Sequence, residues 1–154
     1  LEFRRVLFRS IGGLLFSDGH FRYFSCHVPP SLVTTWKASS KHVIAMVELY
    51  AVIVARFVWS RFLSGRKAIA FVDNESAKEA LVKGSSFNAH FRALLLQLEV
   101  AEKDVRSWLW ISRVPSHSNP SDGPSRGDNS FVKALDAIRG GCSCPILGCA
   151  LADM

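Results

Sequence analysis

The chain has 154 residues, 49% hydrophobic and 21% charged, with 11 Phe and 4 Trp, which is enough apolar material for one compact domain with a buried core. This composition excludes a disordered or collagen-like chain, and the longest apolar stretch, residues 43–55, is interrupted by Glu48 and closed by Arg56, short of the ~20 residues a membrane span needs. Nineteen Lys and Arg against 13 Asp and Glu give a formal charge of +6, a bias toward a polyanion such as nucleic acid or another anionic surface.

Residues 1–10, LEFRRVLFRS, change abruptly in character at IGGLLF and are expected to be a non-native leader outside the domain. Setting them aside lowers the net charge to +4 and leaves the basic bias in place. A signal peptide is the rival reading, because Arg4 and Arg5 precede apolar residues, but Arg9 and the pair Gly12 and Gly13 break the apolar region too early. Residues 11–16 form a short apolar run, followed by the turn signal Ser17-Asp18-Gly19 and by HFRYFSCHV, in which aromatic and polar residues alternate; together they predict a β-hairpin. Pro29 and Pro30 end it. A polar connector holding Trp36 then leads to a helix expected over residues 41–63, apolar around nearly its whole circumference and stopped by Ser64-Gly65.

KAIAFV, residues 67–72, reads as a buried strand ending in Asp73, and residues 74–83 as a short helix stopped by Gly84. Phe87, Phe91, Leu94, Leu95 and Leu98 fall at helical spacing and predict a third amphipathic helix reaching about Lys103. SWLWISRV, residues 107–114, is a strand; a loop of Pro, Ser, Asn and Gly spans 115–129, and a last short helix is expected over 130–139. The domain is thus 11–139, with a Cys-containing tail at 140–154. In that tail Cys142, Cys144 and Cys149 supply three thiols, with no fourth Cys or His at finger spacing, so a loosely ordered tail is preferred to a zinc site. Cys26 stands alone elsewhere, and nothing points to secretion; reduced thiols in the cytoplasm or nucleus, away from membranes, are the expectation.

Three acidic residues are poorly explained by local structure. Glu48 is the sole charge in a 13-residue apolar helical run, where an unpartnered carboxylate costs several kcal/mol; it faces a cleft, a cation or a metal, or else pairs with a Lys or Arg at a helix edge. Asp73 ends an apolar strand, either at a ligand-collecting sheet edge or as the N-cap of the next helix. Asp122, in NPSDGPSR, has the surroundings of a turn residue. Together, a Glu on the first long helix, an Asp at the end of the next strand and an Asp past the last strand can converge on one sheet edge. Convergent carboxylates repel one another unless divalent cations neutralise them, and oxygen-only ligands suit Mg²⁺ or Mn²⁺. Two such ions about 4 Å apart are a phosphodiester-hydrolysing arrangement.

The segment VPSHSNPSDGPSRG, residues 114–127, resembles the final motif of ribonuclease H domains in reverse transcriptases, in the V-P-S-x-x-N-P-A-D-x-P-S-R-G form of pararetroviruses and some retrotransposons, with Ser121 in place of the usual Ala. AMVELYAVIVA resembles that family's glutamate helix, and AFVDNESAKEALVKGSS its strand-Asp-helix element; the hairpin matches the family's second and third strands in order. The resemblance covers about residues 11–127, and its last motif is the most specific. It implies an α/β, ribonuclease H-like fold: a mixed sheet of about five strands with helices on both faces, the first strand here missing or substituted. It also implies that Glu48, Asp73 and Asp122 are catalytic, metal-binding carboxylates of a two-ion Mg²⁺ or Mn²⁺ site that cuts the RNA strand of RNA/DNA hybrids, within a polyprotein that carries the reverse transcriptase polymerase domain. Asn119 would orient the last loop, and Asn119, Arg126 and Asn74 would contact substrate.

The family's first strand carries a further catalytic Asp, upstream of the segment that corresponds to Ile11. LEFRRVLFRS contains no Asp, and Glu2 is a different residue at a comparable distance. Asp18 belongs to the turn after the second strand. The chain as given is therefore expected to be inactive or weak, and a catalytically silent nucleic-acid-binding or scaffold domain of the same fold is the alternative. Residues 3–8 either fill the gap as a surrogate strand or leave exposed sheet edges that aggregate. Trp108 and Trp110 alternate with Leu109 and Ile111, as a base-stacking platform or as core packing. Trp36, Lys37 and Lys41, and likewise Arg66 and Lys67, suit either phosphate contact or a solvated segment; His117 suits a product-release role or an exposed loop.

Overall fold

A computed structural model describes residues 10–141; the leader up to Arg9 and the cysteines of the tail lie outside the described residues. Strands β1 (Ser10–Ser17) and β2 (His20–His27) form the expected antiparallel hairpin, with Ser10 opposite His27 and Ser17 opposite His20. Asp18 and Gly19 close it with φ of 52° and 77°, the positive-φ pair whose twist suits a two-residue hairpin.

The connector expected next is instead a helix, α1 (Pro30–Ser39). Pro30 opens it, at a position where the missing N–H costs nothing. Trp36 is fully buried, its ring edge-on to Tyr50 at 5.9 Å, so it belongs to the core and not to a phosphate-contacting loop. Lys37 and Lys41 are exposed. The long helix expected over 41–63 is two pieces, α2 (Val43–Val58) and α3 (Ser60–Leu63), separated at Trp59. β3 (Lys67–Val72) and α4 (Glu75–Lys83) follow; Asn74 caps α4 by accepting the Ala77 N–H at 3.0 Å, and Gly84 ends it in the left-handed region. α5 (Ala89–Val105) begins after Asn88, whose side chain accepts from His90 and Phe91. Phe87 therefore precedes the cap and is exposed; its helical spacing was fortuitous.

β4 (Trp108–Arg113) leads through a single 3₁₀ turn, Ser116–Ser118, into two short helices, α6 (Asp122–Ser125) and α7 (Ser130–Ala134). The helix expected over 130–139 stops there, because Asp136 turns left-handed at φ 54° and the chain leaves as β5 (Ile138–Arg139), parallel to β2.

The fold is α/β, with a mixed three-stranded sheet in the order β1-β2-β5 and a separate parallel pair β3-β4. The five described strands thus form two sheets, because no described strand lies between β1 and β3. Helix α2 is the hub of the core: Met46, Leu49, Tyr50, Ile53 and Val54 are fully buried, and it packs on β1, α4 and α5. α6 lies over the opposite face of the hairpin. A Cβ on Gly12 would stand 2.4 Å from the Ser125 nitrogen, whereas one on Gly13 would meet Phe24 and Trp59, so adjacent residues of β1 face the two layers.

This second layer stops at the hairpin. The expectation of a buried β3 is accordingly corrected: Ile69 and Phe71 are 63% and 62% exposed, and Trp108 and Trp110, on the same face of the pair, are 74% and 68% exposed. Only the other face, with Ala68, Val72 and Ile111, meets the core. No described helix is long and apolar enough to cross a membrane.

Candidate functional site

Between the edges of β1 and β3, which no other described strand pairs, runs a groove of about 780 Å³. The strands form its walls, and Val47, Glu48, Ala51, Val52 and Ala55 of α2 form its floor. At one end Arg66, just before β3, donates to both carboxylate oxygens of Asp18 at 2.7 and 2.9 Å, tying the β1–β2 turn to the start of β3. The two wall strands therefore run in opposite directions. At the other end stand Asp73, immediately after β3, and the loop from Ser116 to Arg126.

Glu48 and Asp73 meet at that end. The Glu48 carboxyl hydrogen-bonds to Asp73, and its Oε2 accepts the Asn74 backbone N–H at 3.1 Å. Burial, then the Asp73 hydrogen bond and charge, push the Glu48 pKa up to about 8 against the opposing pull of the Asn74 N–H. That raised value favours the protonated form of Glu48 near neutral pH. Neither local alternative for these residues holds: Glu48 has no Lys or Arg partner among its described contacts, and the cap of α4 is Asn74, which leaves Asp73 turned to Glu48.

Asp122 lines the same groove as the first residue of α6, but its Oδ1 accepts from Arg126 Nε at 3.0 Å. Its loop is ordered by Asn119, whose side-chain oxygen accepts from the Ser121 N–H at 3.1 Å and hydroxyl at 2.7 Å, while its carbonyl accepts the Asp122 N–H at 3.2 Å. The backbone of this loop is then set against β1: the Ser10 hydroxyl donates to the Ser125 carbonyl, and Gly12 provides the room for α6. His117 is exposed on the 3₁₀ turn and does not line the groove.

The structure thus brings Glu48 and Asp73 into contact and places Asp122, Asn119 and Arg126 on the same groove, with Asn74 holding Glu48 through its backbone. Among the described residues, no group of three or more His, Cys, Asp or Glu is drawn close enough to hold a metal ion. Two adjacent hard-oxygen donors, one of them favouring its protonated form, nonetheless fit one divalent cation, which would take that proton's place.

Arg56 was read from the sequence only as the end of an apolar run, yet it is 1% exposed and reaches the groove floor. Its guanidinium pairs with Glu102 at 3.3 Å and bonds the Ser107 hydroxyl. The signal was its place eight residues after Glu48, two turns along the same helix face. No family model, curated protein or solved structure matches the chain.

Proposed function

We propose that this chain is a ribonuclease H-like domain of a reverse transcriptase polyprotein, a metal-dependent hydrolase of the RNA strand of RNA/DNA hybrids. The observation that carries the reading is that Glu48, Asp73 and Asp122, far apart in sequence, line one end of one groove, with the first two in direct contact. The separation of β1 from β3 among the described residues supports it, since a central strand placed there would join β5-β2-β1 to β3-β4 in one six-stranded mixed sheet.

Glu48 and Asp73 would hold Mg²⁺ or Mn²⁺, with Asp122 as a third ligand of a two-ion site. The metal would supply charge neutralisation at the scissile phosphate and activation of water. Asn74 fixes the Glu48 carboxylate through its backbone N–H, and Asn119 sets the loop that presents Asp122. Arg126, released from Asp122, would meet a phosphate of the hybrid. The 2′-hydroxyls and A-like shape of the duplex would mark the RNA strand. A fourth carboxylate, expected on the first strand, has no Asp counterpart in LEFRRVLFRS, so this chain is weak or silent.

A second reading, a catalytically silent nucleic-acid-binding domain, is favoured by the closure of Asp122 onto Arg126. One experiment separates them: cleavage of a labelled RNA/DNA hybrid with Mg²⁺ or Mn²⁺, by this chain and by a version whose first ten residues are replaced with an Asp-bearing strand. The hydrolase reading expects cutting by the repaired chain, abolished by Asp73→Asn. If both chains are folded and neither cuts, the binding reading replaces it.

A further inference from the structure

Strand β5 lies at the end of the described residues, and its register fixes which residue comes next beside β2. Arg22 stands opposite Ile138 and Tyr23 opposite Arg139, and the Gly140 N–H carries the parallel ladder one step on by donating to the Tyr23 carbonyl at 2.8 Å. Continued, the same register sets Phe24 against Gly140, Ser25 against Gly141 and Cys26 against position 142, which is a cysteine.

The faces agree with the register. Phe24 packs on Trp59 with ring centroids 5.2 Å apart, and a Cβ on Gly140 would meet Val58 at 3.1 Å and Trp59 at 3.8 Å, so both positions look toward the layer of α2. Side chains alternate along a strand, which returns positions 26 and 142 to that same face. Cys26 is half-buried there against the core, beside a hollow of about 320 Å³ that Ser25, Arg139, Gly140 and Gly141 line with it. Neighbouring strands lie about 4.8 Å apart, inside the Cα separation of about 4.4–6.8 Å that a disulfide spans. The two glycines ahead of position 142 leave the backbone free to adjust the approach.

We propose that Cys26 and Cys142 are the two halves of a redox-dependent disulfide that extends the β2–β5 ladder and ties residue 142 to the hairpin. With glutathione disulfide as oxidant, one cysteine thiolate attacks the oxidant's S–S bond and expels a glutathione thiol; the second cysteine then displaces the other glutathione. Two protein thiols and one oxidant disulfide thus become one protein disulfide and two glutathione thiols. A reducing compartment keeps the pair open, and oxidation closes it. The proposal is independent of the hydrolase reading, because its readout is a covalent bond and not cleavage.

The full chain is treated with glutathione disulfide, alkylated and digested with trypsin, and the joined peptides are sequenced by mass spectrometry. Cys26 joined to Cys142 is expected at least tenfold in excess of Cys26 joined to Cys144 or Cys149, and the excess should vanish when oxidation is run in concentrated urea. The double variant Cys144→Ser, Cys149→Ser should keep the bond, whereas Cys142→Ser should leave Cys26 to be alkylated. In the double variant oxidation should also raise Tm by about 5 °C or more, reversed by dithiothreitol, because the bond closes a long loop. Alkylation of Cys26 in the oxidised native chain overturns the proposal, as does equal pairing with Cys144 or Cys149 or pairing between molecules. A bond that forms without a rise in Tm overturns it too, since it would lie outside the folded ladder.

Discussion

Replacing Glu48 with Gln keeps the shape of the buried side chain and mimics its protonated form, with a carbonyl still able to accept the Asn74 N–H and an amide able to donate to Asp73. The native Glu48 pKa is raised from an ordinary 4.5 to about 8, so the folded state holds a proton that the unfolded chain releases. The resulting stabilisation is fully present below about pH 4.5 and is lost as pH rises through about 8. At 1.36 kcal/mol per pKa unit the ceiling is about 5 kcal/mol. Glu48 is partly open to solvent, which brings the expected loss to about 2–3 kcal/mol. Urea unfolding of the native chain and Glu48→Gln at pH 5 and pH 9 measures it. The two should be nearly equal at pH 5, with the variant more stable at pH 9. A difference that does not change between these pH values would refute the coupling of Glu48 to Asp73.

If the same pair holds a divalent cation, Mg²⁺ should raise the native Tm, more strongly at pH 8 than at pH 6 because it displaces the Glu48 proton, and Asp73→Asn should abolish the rise; thermal shifts with and without MgCl₂ test this. Gly12→Ala places a methyl against the backbone of α6 and should destabilise by about 1–3 kcal/mol, with faster amide exchange in residues 121–126 than elsewhere. Glu102→Ala strands the buried Arg56 guanidinium and should cost about 2 kcal/mol in urea unfolding, less than a wholly buried pair because Glu102 reaches solvent.

The features legible in the sequence were those written in local chemistry. Asp18-Gly19 specifies the hairpin turn, Asn74 and Gly84 delimit α4, and the isolated charge of Glu48 marks a side chain in need of a partner. What was hidden depends on tertiary contact. α1 is rich in Ser and Thr and reads as a connector until Trp36 finds Tyr50; β5 is two residues long and is a strand only because β2 lies beside it. An alternating KAIAFV cannot say that its Ile and Phe face outward, since that depends on how far the second helical layer extends. The carboxylates were individually ambiguous, and the raised Glu48 pKa follows from burial and from a contact between residues 25 positions apart.

The four tryptophans divide evenly between the interior and the bare outer face of the β3–β4 pair: Trp36 and Trp59 are buried, Trp108 and Trp110 exposed. The molecule therefore contains two optically distinct reporters without any label. Iodide in solution can reach only the sheet pair, leaving the blue-shifted emission of the interior pair to follow the helical layer. Trp59 also borders the groove between β1 and β3, so an event there and an event on the outer face would change different halves of the same spectrum.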